Sequence, residues 1–264
     1  MKKSQIVSCL CVLTLIVLVF SGCVEEESQT RAATQAENQP LTETFTSESI
    51  ALGDGIVYSW VTLDAEGNPS AIGVNFTELA ISGLPEEVAE YTLPLPEEAS
   101  ATAFNHIGLD WNPEGHEPQG IYDHPHFDVH FYMRSPEERD KITATEEDMA
   151  NLSKEPDPEF IPKGYVPIPG GVPRMGAHWI DPTSPEFNGQ PFEETLIYGF
   201  YDGEMVFIEP MVTIDFLKTK PELTKPLKLP ENYPTEAYYP TDYSIRYDEK
   251  MEAYTVTLEG MTLR

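Results

Sequence analysis

Apolar and polar residues alternate with a period of two through most of the patterned segments, which predicts strands rather than helices. Gly55 to Asp64 (GIVYSWVTLD) reads as a strand, Glu66-Gly67-Asn68-Pro69 as a turn, and Ser70 to Phe76 as the returning partner. Thr77 to Ser82 reads as a short helical turn, Ala101 to Trp111 as extended chain, and Gly120 to Met133 as another strand. Thr195–Tyr201 and Glu204–Glu209 flank Asp202-Gly203, a dipeptide suited to a two-residue hairpin turn. Pro210 to Leu217 reads as a short helix, and Tyr243–Tyr247 and Ala253–Leu258 as the last strands. One helix start is well marked: Ser135 at the N-cap, Pro136 in the first turn and Glu138 three residues after the cap, with the helix running to about Leu152. Residues 154–173 are Pro-rich and read as a long surface loop. The pattern predicts an α+β, β-rich fold: a mixed or antiparallel sheet domain with one main helix and long Pro-rich loops.

The strand from Gly120 to Met133 carries most of the chemistry. All six histidines lie between His106 and His178, and three fall in His-Pro-His-Phe-Asp-Val-His, His124 to His130. A period of two puts His124, His126, Asp128 and His130 on one face, and Pro125, Phe127, Val129 and Phe131 on the other. Strand residues two apart are about 7 Å apart and those four apart about 13 Å, so neighbours on the face can share a metal but His126 and His130 cannot without a bulge. The remaining ligands have to come from other segments, where His116, Glu117, His178 and Glu209 are the candidates. We expect His126, His130, His178 and His116 as metal ligands, Asp128, Glu117 and Glu209 as the groups that orient them, and Glu117 or Glu209 as a catalytic base if there is catalysis. Imidazole and carboxylate without thiolate suit zinc, manganese, iron or nickel; zinc is the expected ion. The competing reading is a hydrogen-bonded polar face on a half-exposed strand. His106 and His124 read as structural or surface residues. No zincin H-E-x-x-H helix, G-x-S-x-G elbow, P-loop or G-x-G-x-x-G turn is present.

The N-terminal segment changes the setting. Lys2 and Lys3, the apolar run Ile6 to Phe20, and Ser21-Gly22-Cys23 predict a lipoprotein signal peptide over 1–22, with Cys23 as the lipidated first mature residue. Phe20 stands where that pattern has Leu. The alternative is an uncleaved anchor, for which the apolar run is short. Both place the domain outside the cytoplasm, lipid-anchored or otherwise tethered to the cell membrane. The polar stretch 23–49 reads as a disordered tether, 50–217 as the β-rich domain, and 218–264 as a C-terminal Pro-rich segment with strands. Cys9 and Cys11 leave with the signal, which removes disulfides and thiol ligands from the folded part. With 45 Asp and Glu against 16 Lys and Arg, the net charge of -29 argues against a nucleic-acid partner.

Five blocks together resemble an uncharacterised family of exported prokaryotic domains, a domain of unknown function represented by a Thermus hypothetical protein. They are YSWVTLDAEGNPSAIGVNFTE (58–78), DWNPEGHEP (110–118), PHFDVHFYM (125–133), RMGAHW (174–179) and IYGFYDGEMVFIEPMVT (197–213). The resemblance spans about 52–217 and implies a mixed, β-rich domain capable of self-association, with no known activity. Three functions remain open: a lipid-anchored metal-binding or sensory domain, a cupin-like metal-dependent hydrolase or oxygenase, and a structural, self-associating homo-oligomer without metal.

Overall fold

In the computed structural model, residues 42–264 are described; the predicted signal peptide, Cys23 and most of the predicted tether lie outside them. Strands β1 (Glu43–Thr46), β2 (Ile50–Leu52), β3 (Gly55–Leu63) and β4 (Pro69–Thr77) open a first sheet. A second sheet follows from β5 (Ala89–Pro94), β6 (His106–Asn112), β7 (His126–Tyr132), β8 (Val166–Pro167), β9 (Ala177–Ile180), β10 (Glu194–Tyr201) and β11 (Glu204–Thr213). The chain then returns to the first sheet through β12 (Glu222–Pro226), β14 (Asp242–Asp248) and β15 (Ala253–Glu259), while β13 (Tyr238–Tyr239) pairs with β16 (Thr262–Leu263). The sheet orders are β1-β3-β4-β15-β14-β12, with β2 on β3, and β5-β6-β7-β11-β10-β9-β8. Every ladder between these strands is antiparallel.

The two sheets share one apolar core. Val74 and Phe76 of β4, Ile245 of β14 and Val256 of β15 face Phe127, Val129 and Phe131 of β7 and Ile208 and Val212 of β11, all buried. The Phe76 and Phe127 rings meet 5.7 Å apart. This is the expected inward face of the histidine strand, and both Phe127 and Phe131 are fully buried.

Several boundaries differ from expectation. Glu43–Thr46, inside the predicted tether, forms an edge strand because its residues pair with Trp60 to Leu63 of β3. The strands after residue 235 are no appendage: β15 lies between β4 and β14 inside the first sheet. The single main helix is broken in two, α1 (Pro136–Arg139) and α2 (Met149–Leu152). The Ser135–Glu138 capping box is present, but the Asp148 carboxylate accepts from the backbone N–H groups of Thr143 and Ala144 at 3.0 and 3.1 Å. Those bonds replace helical ones, and Ala144 takes a left-handed φ of 51°. β11 runs on to Thr213, whose side chain caps the short helix α3 (Ile214–Lys218). The histidine strand begins at His126, not Gly120, and residues 113–125 form a loop. Among the described residues no helix is long and apolar enough to cross a membrane.

That loop, together with residues 181–193, covers the outer face of the second sheet. Tyr122, Phe192, Ile197, Phe207 and Met211 form a second, smaller apolar cluster there. All seven residues of β7 are therefore buried, polar and apolar alike.

Candidate metal centre

The polar residues of the outer face come from strand alternation in β6 and β7. Ile107, Leu109 and Trp111 point to the shared core, which turns Asp110 and Asn112 outward beside Asp128 and His126, their register partners. On the other side of β7, β11 pairs Phe131 with Ile208 and Asp128 with Met211, and this register sets Glu209 beside His130. His178 arrives from β9, two strands further on, where it pairs with Gly199 of β10. Gly199 has to be glycine: a Cβ there would stand 2.0 Å from the Phe207 ring. Phe207 packs against both His130 and His178, with ring centroids 4.8 and 5.3 Å away.

Two three-residue groups result, His116/His126/Asp128 and His130/His178/Glu209; within each, one ligand atom per residue lies within 4.8 Å of the others. In the first, His126 Nε2 is 3.0 Å from Asp128 Oδ1 and His116 Nε2 is 3.3 Å from Oδ2. In the second, His130 Nε2 is 3.4 Å from Glu209 Oε1 and His178 Nε2 is 3.8 Å from Oε2. Either donor set can hold a divalent ion, being two imidazoles and one carboxylate.

The far ring nitrogens decide the tautomers. His126 Nδ1 lies 2.6 Å from the His124 carbonyl oxygen, and His116 Nδ1 lies 2.7 Å from that of Glu117. A carbonyl only accepts, so each Nδ1 carries a proton, and a ring with no second proton turns its Nε2 lone pair toward Asp128. Lone pair would then face carboxylate, a contact that either a second ring proton or a metal ion between nitrogen and oxygen relieves. Asn112 holds Asp128 Oδ2 from the other side at 2.8 Å. In the second group His130 Nδ1 faces Asp110 Oδ2 at 3.5 Å, the position of a carboxylate that orients a metal-bound histidine. Among the described residues, seven buried side-chain N or O atoms have no hydrogen-bond partner, and six belong to Asp110, His126, Asp128, His130 and Glu209.

Burial sets most of the protonation. It lowers His130 to about 3 and His178 to about 4. It lifts Glu209 far above the carboxylate range, helped by the charges of Asp128 and Asp110, and lifts Asp110 to about 8, with Asp128 adding to the rise. Asp128 is the exception: burial would raise it, but hydrogen bonds and charge from His116 and His126 hold it well below its usual value. For His116 burial pulls downward, yet the bond to Asp128 and its charge leave the ring raised.

The expected residues fall into two groups: His130 comes together with His178 and Glu209, and His126 with His116 and Asp128. His126 and His130 point into different groups, as their spacing along β7 demands. Asp128 and Glu209 stand among the Nε2 atoms and not behind the rings; that outer place is taken by the carbonyls of His124 and Glu117 and by Asp110. The Glu117 side chain is exposed and belongs to neither group. His124 contributes only its carbonyl. His106 is buried and structural: its Nε2 lies 3.2 Å from Arg139 Nη1, and burial, with the Arg139 charge, lowers it to about 4. Asp110 and Asn112 were not anticipated, although their alternation with Leu109 and Trp111 is visible in the sequence.

His116 and His178, one from each group, line a single cavity of about 480 Å³ together with Glu117, Tyr122, Ile168 and Val172.

Fold and site together define an antiparallel two-sheet domain with paired His/carboxylate groups on the outer face of one sheet. Residues 64–111 match the family model described as TTHB210-like: Hypothetical protein TTHB210, a domain of unknown function. The match includes Asp110 but none of the six residues of the two groups. No curated protein and no solved structure matches the chain.

Proposed function

We propose that this is a divalent-metal-binding domain that holds one ion in each His/His/carboxylate group, with zinc as the expected ion. The observation that carries the reading is the facing of Nε2 lone pairs and the Asp128 carboxylate, enforced by carbonyls on the opposite ring nitrogens. A proton on His116 relieves one such contact; a metal relieves both and uses every ligand atom. The role is binding or sensing at the outer side of the cytoplasmic membrane, the domain being held there through lipid on Cys23; the residues at 2–23 support that placement. The acidic surface supports a partner other than nucleic acid, and the family resemblance supports self-association.

The test is thermal unfolding of chelator-treated protein with and without added zinc. Free zinc at 100 times Kd should stabilise the fold by about 2.7 kcal/mol per site. An unchanged Tm for the native chain, or an equal rise in a His126→Ala/His130→Ala double variant, would refute the reading.

A second reading, metal-dependent hydrolysis or oxygenation, is favoured by the cavity that reaches both groups. Its base would be Glu117, which lines the cavity without joining either group; Glu209 cannot serve as base while it binds metal. A cupin-like site between the sheets is not supported, since that space is filled by apolar side chains.

A further inference from the structure

We infer that the cavity above the two groups binds a small organic monocarboxylate with an apolar body, its carboxylate placed on a metal ion of the site. The inference rests on the metal-binding reading proposed above and adds the class of ligand. Because His116 and His178 both line the cavity, each metal would expose a coordination position to the same space.

The lining gives the ligand's charge. No Lys or Arg lines the cavity, so positive charge can come only from the metals. A divalent ion with two neutral imidazoles and one carboxylate carries one net positive charge, and the two groups together carry two. Glu117 at the wall subtracts one. A single negative charge is thereby matched, whereas a phosphate dianion would be in excess and would meet the Glu117 carboxylate. Pro118, Ile168, Pro169, Val172 and Ile197 supply apolar wall, and the Tyr122 hydroxyl is already committed to Glu186 at 3.2 Å. Gln119 adds one polar group, but the predominance of these apolar walls rewards an aliphatic or aromatic body. At about 480 Å³ the space exceeds what acetate fills and lies within the range of small-molecule sites.

The experiment uses the full chain loaded with cobalt(II), with metal content measured on the same sample. Hexanoate is titrated by calorimetry and by the visible absorption of cobalt; acetate, inorganic phosphate and hexan-1-ol are the comparators. Hexanoate should shift the cobalt spectrum and bind at least tenfold more tightly than acetate or phosphate, while hexan-1-ol leaves the spectrum unchanged. Val172→Asp, at an exposed wall position outside both groups, should keep its cobalt and lose at least tenfold in hexanoate affinity. If cobalt is bound but hexanoate is no better than acetate, phosphate is tighter, or Val172→Asp has no effect, the ligand inference fails and the metal reading survives. A chain that takes up no cobalt removes both.

Discussion

The two metal-ligand groups share strand β7 but are built differently. His116/His126/Asp128 combines two positions of one strand with a histidine on the covering loop, whose side chain is 38% exposed. His130/His178/Glu209 is carried by three strands of one sheet, with His130 and Glu209 almost wholly buried. Without metal the first is a charged group, Asp128 ionised and His116 favouring its proton. The second is a neutral one, with unprotonated imidazoles and a protonated Glu209. The same three ligand types therefore pose two problems: the first group must shed a proton from a ring, the second from a carboxyl. The loop group has one ligand outside the sheet, His116, whereas all three ligands of the strand group are carried by the sheet.

The largest effect should ignore this distinction. Phe131→Ala empties a fully buried position behind β7 and should cost about 3–5 kcal/mol of stability with or without metal. His126→Ala in metal-free protein should cost much less, and denaturant titration compares the two. An equal cost for both would mean that the inward face is not what positions the groups.

Next come the ligands themselves. His130→Ala should abolish metal at the strand group, a loss exceeding the roughly 100-fold that removing an orienting partner costs, and leave the loop group loaded. His126→Ala should do the reverse. Competition against a chelator reads both, and a single variant that empties both groups would show that they are one site.

The inward face was legible in advance because Phe127, Val129 and Phe131 alternate with His126, Asp128 and His130, and one buried face fixes the register. The hairpin around Asp202-Gly203 was legible from its turn chemistry. Which histidine joins which carboxylate was not, since it depends on β10 lying between β9 and β11 and on the path of the loop through His116. The helix break was hidden because it comes from one side chain, Asp148, competing for backbone N–H groups. Asp110 was overlooked for want of a histidine beside it, although alternation alone turns it outward.

Asp110→Asn separates the groups more gently. It should weaken metal at the strand group about 10–100-fold and leave the loop group nearly unchanged. Equal weakening at both would place Asp110 in a general electrostatic role.

The smallest effect is a pH trend of unusual sign. Asp110 is raised to about 8, so the folded chain keeps a proton that the unfolded chain has already lost above its ordinary pKa of 3.8. Glu209 and His116, also raised, act in the same direction. His130 and His178, depressed to about 3 and 4, add stability that is complete above 6.5 and is lost only as pH falls toward those values. Between pH 6.5 and 8 metal-free protein should therefore lose stability, about 2 kcal/mol from Asp110 alone. Metal should oppose the trend, because binding displaces the protons of its own ligands Glu209 and His116. Denaturant midpoints at both pH values, with and without zinc, measure it; a flat metal-free curve would contradict the assigned protonation states.

The most direct test of the central claim is metal content. Full-length chain without a histidine tag is stripped with chelator, reloaded with zinc and dialysed against metal-free buffer. Two zinc ions per chain are expected, falling to one in either His126→Ala or His130→Ala. A chain that retains none after reloading contradicts the account.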